Sequence, residues 1–156
     1  MRYLYSLRVA LVSVEALVLA LGWLAWTYLA PQLHNFASSL ALNDEVLKYL
    51  MLLPTALAIW VFNEIRGLLQ EDKDTTQLLV KWPDYWRLKA HAWISLIYAV
   101  VFACMSLLPW VVKTGISTGS GMLLFVTSII GQLVLAISVY IARITLKEIV
   151  AYAKSP

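Results

Sequence analysis

Four long apolar runs divide this chain, and the basic residues around them keep to alternate gaps. The runs cover roughly 9–29, 46–62, 92–112 and 121–142. A helix rising 1.5 Å per residue needs about 20 residues to cross a hydrocarbon layer about 30 Å thick. Within such a layer every backbone N–H and C=O must find a partner inside the protein, and the helix supplies one for each residue of a run this long. The expected fold is all-α: a polytopic membrane protein of four transmembrane helices in two hairpins, forming one domain over 1–156.

The gaps set the orientation. Arg2, Arg8, Arg66, Lys73, Lys81, Arg87, Lys89, Arg143, Lys147 and Lys154 fall before the first run, between the second and third, or after the fourth. Only Lys48 and Lys113, of twelve Lys and Arg, fall toward the other side. Basic residues resist translocation, so their excess marks the cytoplasmic face. Both termini and the loop 64–90 are expected inside (N-in/C-in), in a bacterial inner membrane, with 32–45 and 113–120 outside.

Composition excludes several classes. With 62% of residues apolar and 13% charged, the chain lacks the polar surface that a soluble domain of this size needs. The net charge of +3 is explained by loops facing an anionic leaflet. No basic face clusters as a nucleic-acid footprint would, so no nucleic-acid partner is expected. The single cysteine, Cys104, permits no intrachain disulfide and no paired-thiol chemistry, and reads as a small apolar filler. The first run exceeds a signal peptide's apolar stretch and carries Trp23 and Trp26 where a cleavage site would need small residues, so it is expected to remain as a span.

Local signals refine the helices. Trp23, Trp26 and Tyr28 read as an outer aromatic collar, and Pro31 as the stop of the first helix. Asn43 or Asp44 caps the second helix, which Pro54 should kink. Ile65, Leu68 and Leu69 continue its apolar stripe about two turns past the membrane. Pro83 and Asp84 suit the first turn of the third helix, and Pro109-Trp110 lies near its end. Gly115 and Gly119 form a GxxxG placed in a loop.

Glu15 is the sharpest candidate for chemistry. An ionisable group two turns into the first span costs a few kcal/mol on insertion scales and normally faces protein or a water cavity. It reads either as a proton- or ion-binding site or as a structural acid, hydrogen-bonded to a neighbouring helix or paired with Arg143. A lone acid early in the first of four spans resembles the small multidrug-resistance transporters, on Val14-Glu15-Ala16 and the span count. That resemblance implies proton exchange for lipophilic cations by a dimer, with Glu15 in that role. The chain departs in its greater length, its longer middle loop and Leu17-Val18-Leu19, where the family places small residues.

In the fourth run Gly121, Ser128, Gly131, Gln132 and Ser138 fall near one helical face. Small and polar residues of this kind let helices approach closely. The face serves either packing within the chain or self-association as a homo-oligomer. Glu64, Arg66, Asp84, Arg87 and Lys89 flank the cytoplasmic loop and read as a salt-bridged knot or a surface for a cytoplasmic protein partner. His34 and His91 lie on opposite sides and cannot share a metal; His91 reads as a polar interfacial residue.

No catalytic motif, phosphate loop or zinc spacing occurs, so neither an enzyme nor a cofactor is expected. The resulting expectation is a non-enzymatic membrane protein acting by helix association with itself or a partner, in immunity, exclusion or phage defence. Its layout is similar to membrane components of phage-exclusion systems in span number and size. The alternative is an ion channel or proton-coupled small transporter centred on Glu15.

Overall fold

Helices α1 (Val14–Ser39), α2 (Asp44–Leu69), α3 (Tyr85–Val111) and α4 (Gly119–Lys154) follow one another along the chain. The computed structural model describes residues 5, 9–39, 44–69, 85–111 and 115–154. Among these there is no strand. Helices α1 and α3 and the stretch Gly119–Ala151 of α4 are each long and apolar enough to cross a membrane. Their outer faces expose Leu21, Trp23, Val100, Ile137 and Ile141. So much exposed apolar surface is rare on a soluble monomer and suits contact with lipid.

Helix α4 is the hub, since α1, α2 and α3 all pack on it. The core joins Val61 and Ile65 of α2, Ala92 and Ala99 of α3, and Leu135, Ala136, Val139 and Leu146 of α4. Alanines on α3 let its backbone come close to α4, a common feature of helix packing in membranes.

Two glycines set other close approaches. A Cβ at Gly131 of α4 would overlap the Phe102 ring of α3. One at Gly119 would overlap the Ala30 carbonyl oxygen and crowd the His34 amide of α1. Gly119 therefore belongs to a helix–helix crossing, not to a free loop. Gly22 of α1 faces Thr127 of α4, so α1 and α4 run antiparallel. Their contacts bring the start of α1 beside the middle third of α4.

The helix ends differ from the sequence expectation. The first apolar run is two helical pieces: residues 9–11 are helical, the chain breaks at Val12 and Ser13, and α1 begins at Val14. It then passes through Pro31 and ends at Ser39. Proline removes one helical hydrogen bond, but the segment beyond it is held against the start of α4 and stays helical. Most of the segment expected as the first outer loop is thus helix, while 40–43 lies outside the described residues. Trp23 and Trp26, expected at the outer interface, stand roughly 12–16 Å inward of His34 at 1.5 Å per residue. Pro54 lies inside α2 and is fully buried. Helix α3 begins at Tyr85, and Pro109 lies within it, two residues before its end. Residues 70–84, most of the expected cytoplasmic loop, lie outside the described residues.

Candidate functional site: a cavity at the break in the first apolar run

The break is built by Ser13. Its hydroxyl donates to the Ala10 carbonyl at 3.2 Å and accepts from the Ala16 amide at 3.1 Å. The second bond is an N-cap, satisfying one of the amides that the first turn of a helix leaves without a partner. Tyr98, reaching across from α3, donates its hydroxyl to the same Ala10 carbonyl at 2.6 Å. One serine and one tyrosine thus share the carbonyl that the interrupted helix frees.

Glu15 follows in the first turn of α1, where the helix dipole favours an acid. It is only 8% exposed. The sequence placed it two turns into an unbroken span; the structure places it at the mouth of a new helix. Its side chain lines a cavity of about 610 Å³ together with Ser13, His91, Ser95, Ser138 and Ala142. Helices α1, α3 and α4 each contribute to that wall, and Ile65 adds a residue from α2. Among the described residues no ion pair engages Glu15. Arg143, its expected partner, pairs with Glu64 of α2 instead. That contact ties α2 to α4 beside the cavity, with side-chain exposures of 35% for Arg143 and 16% for Glu64.

An aromatic and basic cluster adjoins the cavity. The Tyr5 hydroxyl and His91 Nε2 share a hydrogen bond of 3.2 Å. The Tyr5 ring meets Trp86 edge-on at 5.0 Å, and the Arg87 guanidinium lies 5.6 Å from both ring centroids. Cation–π contacts at exposed sites contribute about 0.5–1 kcal/mol. Here they hold the Arg87 guanidinium beside Tyr5, which lines the cavity. Ser13, Ser95 and Ser138 share the cavity wall with Glu15. Among the described residues no three His, Cys, Asp or Glu side chains converge as a metal site.

The other candidates separate. Gly121, Ser128, Gly131 and Gln132 are buried within the chain's own bundle, and Ser138 is half-buried in the cavity wall. Gly131 meets Phe102 of α3, and Gly121 packs on the turn formed by Gly115 and Thr118. This face is occupied inside the chain and offers little surface to a second copy. The expected knot across the loop is also rearranged: Glu64 turns to Arg143, and Arg87 lies over Tyr5 and Trp86. Arg66, Arg87 and Lys89 are exposed at the same end of the bundle, and Asp84 lies outside the described residues.

Sequence reasoning missed Tyr5, Ser95 and Tyr98 as parts of the site. A signal existed on α3, where His91, Ser95 and Tyr98 follow helical spacing and share one face. The bond from Tyr98 to Ala10 had none, because it depends on how distant helices align. No family model, no curated protein and no solved structure matches this chain.

Proposed function

We propose that this chain is a non-enzymatic, four-span membrane protein that binds protons or small cations at Glu15 and passes them across the bilayer, as a channel or a proton-coupled transporter. The observation that carries the reading is the Glu15 carboxylate, over nine-tenths buried yet lining a cavity of about 610 Å³. Intramembrane acids are costly, and those that persist normally face an aqueous path or a partner. Here the expected partner, Arg143, is engaged by Glu64. In this reading α2 is the fourth span. The end of the bundle bearing Arg66, Arg87, Lys89 and Arg143 faces the cytoplasm by the distribution of basic residues, so the cavity opens inward.

The test is proton flux into liposomes containing the purified protein and an internal pH-sensitive dye, under an imposed potential. Wild-type protein is expected to pass protons, and Glu15→Gln to lose at least tenfold of that rate while keeping its helical circular dichroism. Equal flux in both proteins overturns the reading.

A second reading is association with a cytoplasmic protein partner, as an immunity, exclusion or phage-defence component. It is favoured by the exposure of Arg66 and Lys89 at the same end of the bundle. The two readings part at Lys89→Glu, which should weaken partner association and leave proton flux intact.

A further inference from the structure

At the basic end of the bundle α2 and α4 meet in a seam that joins two cations to two aromatic rings. Arg143 of α4 donates from Nη1 to the Glu64 carboxylate of α2. Its Nη2 lies over Gly67, 3.9 Å from where a Cβ would stand, so no side chain of that residue screens it. A guanidinium carries five N–H donors, and one carboxylate takes at most two of them. The part-exposed Arg143 therefore keeps donors for a further acceptor. Lys147, one turn on along α4, is exposed on the same face. Asn63, one turn before Gly67 on α2, is exposed beside it.

The rings belong to the same two faces. Trp60, Glu64 and Gly67 follow helical spacing on α2, as Tyr140, Arg143 and Lys147 do on α4. The Glu64–Arg143 contact sets these faces against each other. Helix α2 starts soon after the end of α1, and the end of α1 lies on the start of α4, so α2 and α4 run in the same direction. Trp60 and Tyr140 thus stand level with one another, one turn inward of the Glu64–Arg143 pair, roughly 5 Å at 1.5 Å per residue. Both rings are exposed. Tyr and Trp beside cations are typical of helices where they meet the headgroup layer. Two turns deeper on the same faces, Leu53 and Leu133 are exposed and apolar.

Arg143 and Lys147 against Glu64 leave one positive charge at the seam. Glu148 is exposed but lies about 140° round α4 from Arg143, at about 100° per residue. We propose that the seam of α2 and α4 binds an anionic phospholipid. Arg143, Lys147 and Asn63 hold its phosphate, its glycerol region lies between Trp60 and Tyr140, and a chain runs over Leu53 and Leu133. A guanidinium already oriented by Glu64 offers its forked donors to a phosphate at little further cost in side-chain freedom. A zwitterionic lipid brings its own cation to the same place and loses the advantage. The site rests on α2 lying in the bilayer beside α4, as the proposed topology has it, and is independent of Glu15.

The experiment is native mass spectrometry of the purified protein, released from micelles carrying equal amounts of phosphatidylglycerol and phosphatidylcholine with the same chains. The wild type is expected to retain the anionic lipid about tenfold over the zwitterionic one. Lys147→Gln alters an exposed side chain, so it should fold. It should cut that preference about fivefold, the factor to which about 1 kcal/mol per basic residue corresponds. Lys89→Gln removes an equal charge from α3 at the same end of the bundle and should leave the preference within about twofold of the wild type. Excess glycerol phosphate should not displace the lipid. Equal retention of the two lipids by the wild type overturns the site. No loss in Lys147→Gln, or an equal loss in Lys89→Gln, overturns its place at the seam. Displacement by glycerol phosphate overturns the lipid as its occupant.

Discussion

Ser13 ends one helical piece and starts the next with a single oxygen, which donates to Ala10 and accepts from Ala16. The Ala10 carbonyl draws a second donor from Tyr98, and removing that donor isolates its contribution. Tyr98→Phe is expected to destabilise the protein by about 1 kcal/mol, the net value of a typical hydrogen bond. The ring should keep its stacking on Phe102, 6.2 Å away between centroids. Thermal unfolding in detergent would measure the loss; an unchanged midpoint would show that Ser13 alone satisfies the break. The Glu64–Arg143 pair has a different signature. Arg143→Ala leaves a mostly buried carboxylate without its cation and should cost more than the double variant Glu64→Gln, Arg143→Met, because an orphaned charge is worse than none. Of these features the sequence displayed only the acid in an apolar run. Glu15 stood out because charge inside a span is rare, whereas Glu64 and Arg143 each sit where a polar residue needs no explanation. Their pairing follows from the alignment of α2 with α4, which no local pattern records.

Helices were readable as elements because long apolar runs permit little else, but their ends were not. Pro31 has the sequence signature of a stop, yet α1 continues to Ser39 because its last turns lie on the start of α4, with Gly119 against Ala30 and His34. Tertiary contact outweighs one missing hydrogen bond. The interruption at Val12 and Ser13 went unread for the opposite reason: an apolar run shows no composition shift where a serine caps a helix inside it. The small-residue face of α4 was visible, but which surface it meets was not, since close packing asks for the same residues within a chain and between chains. Gly131 puts that point to the test. Gly131→Leu drives a side chain into the Phe102 ring, and overpacking of this kind typically costs 1–3 kcal/mol. Its unfolding midpoint should fall while its oligomeric size, measured by light scattering in detergent, equals that of the wild type. A change of size at retained fold would place this face between copies. Gly119→Val should separate the start of α4 from α1 and speed hydrogen exchange in residues 32–39 relative to wild type.

Across the whole molecule the charges and the packing agree on one polarity. The start of α1, the end of α2, the start of α3 and the later part of α4 lie together, as the contacts of Tyr5 with His91 and of Glu64 with Arg143 require. Arg66, Arg87, Lys89, Arg143 and Lys147 gather at that end, whereas His34 lies at the opposite end beside Gly119. On the proposed reading, retention of basic residues puts the Glu15 cavity on the cytoplasmic side. The native thiol, Cys104, is exposed on the outer face of α3, so labelling begins from Cys104→Ser. In that background His34→Cys is expected to react with a membrane-impermeant maleimide on intact cells. Lys147→Cys should react only after the membrane is opened. Both substituted side chains replace exposed residues, so neither should disturb packing. Reaction of Lys147→Cys on intact cells with His34→Cys protected would invert the molecule and turn the cavity outward. Reaction of both would place the two ends on one side, which requires an even number of crossings between them and removes α2 or α3 as a span. The expected pattern, outside at His34 and inside at Lys147, leaves an odd number of crossings over α2, α3 and α4. With α3 and α4 apolar and long enough to cross, the third crossing falls to α2.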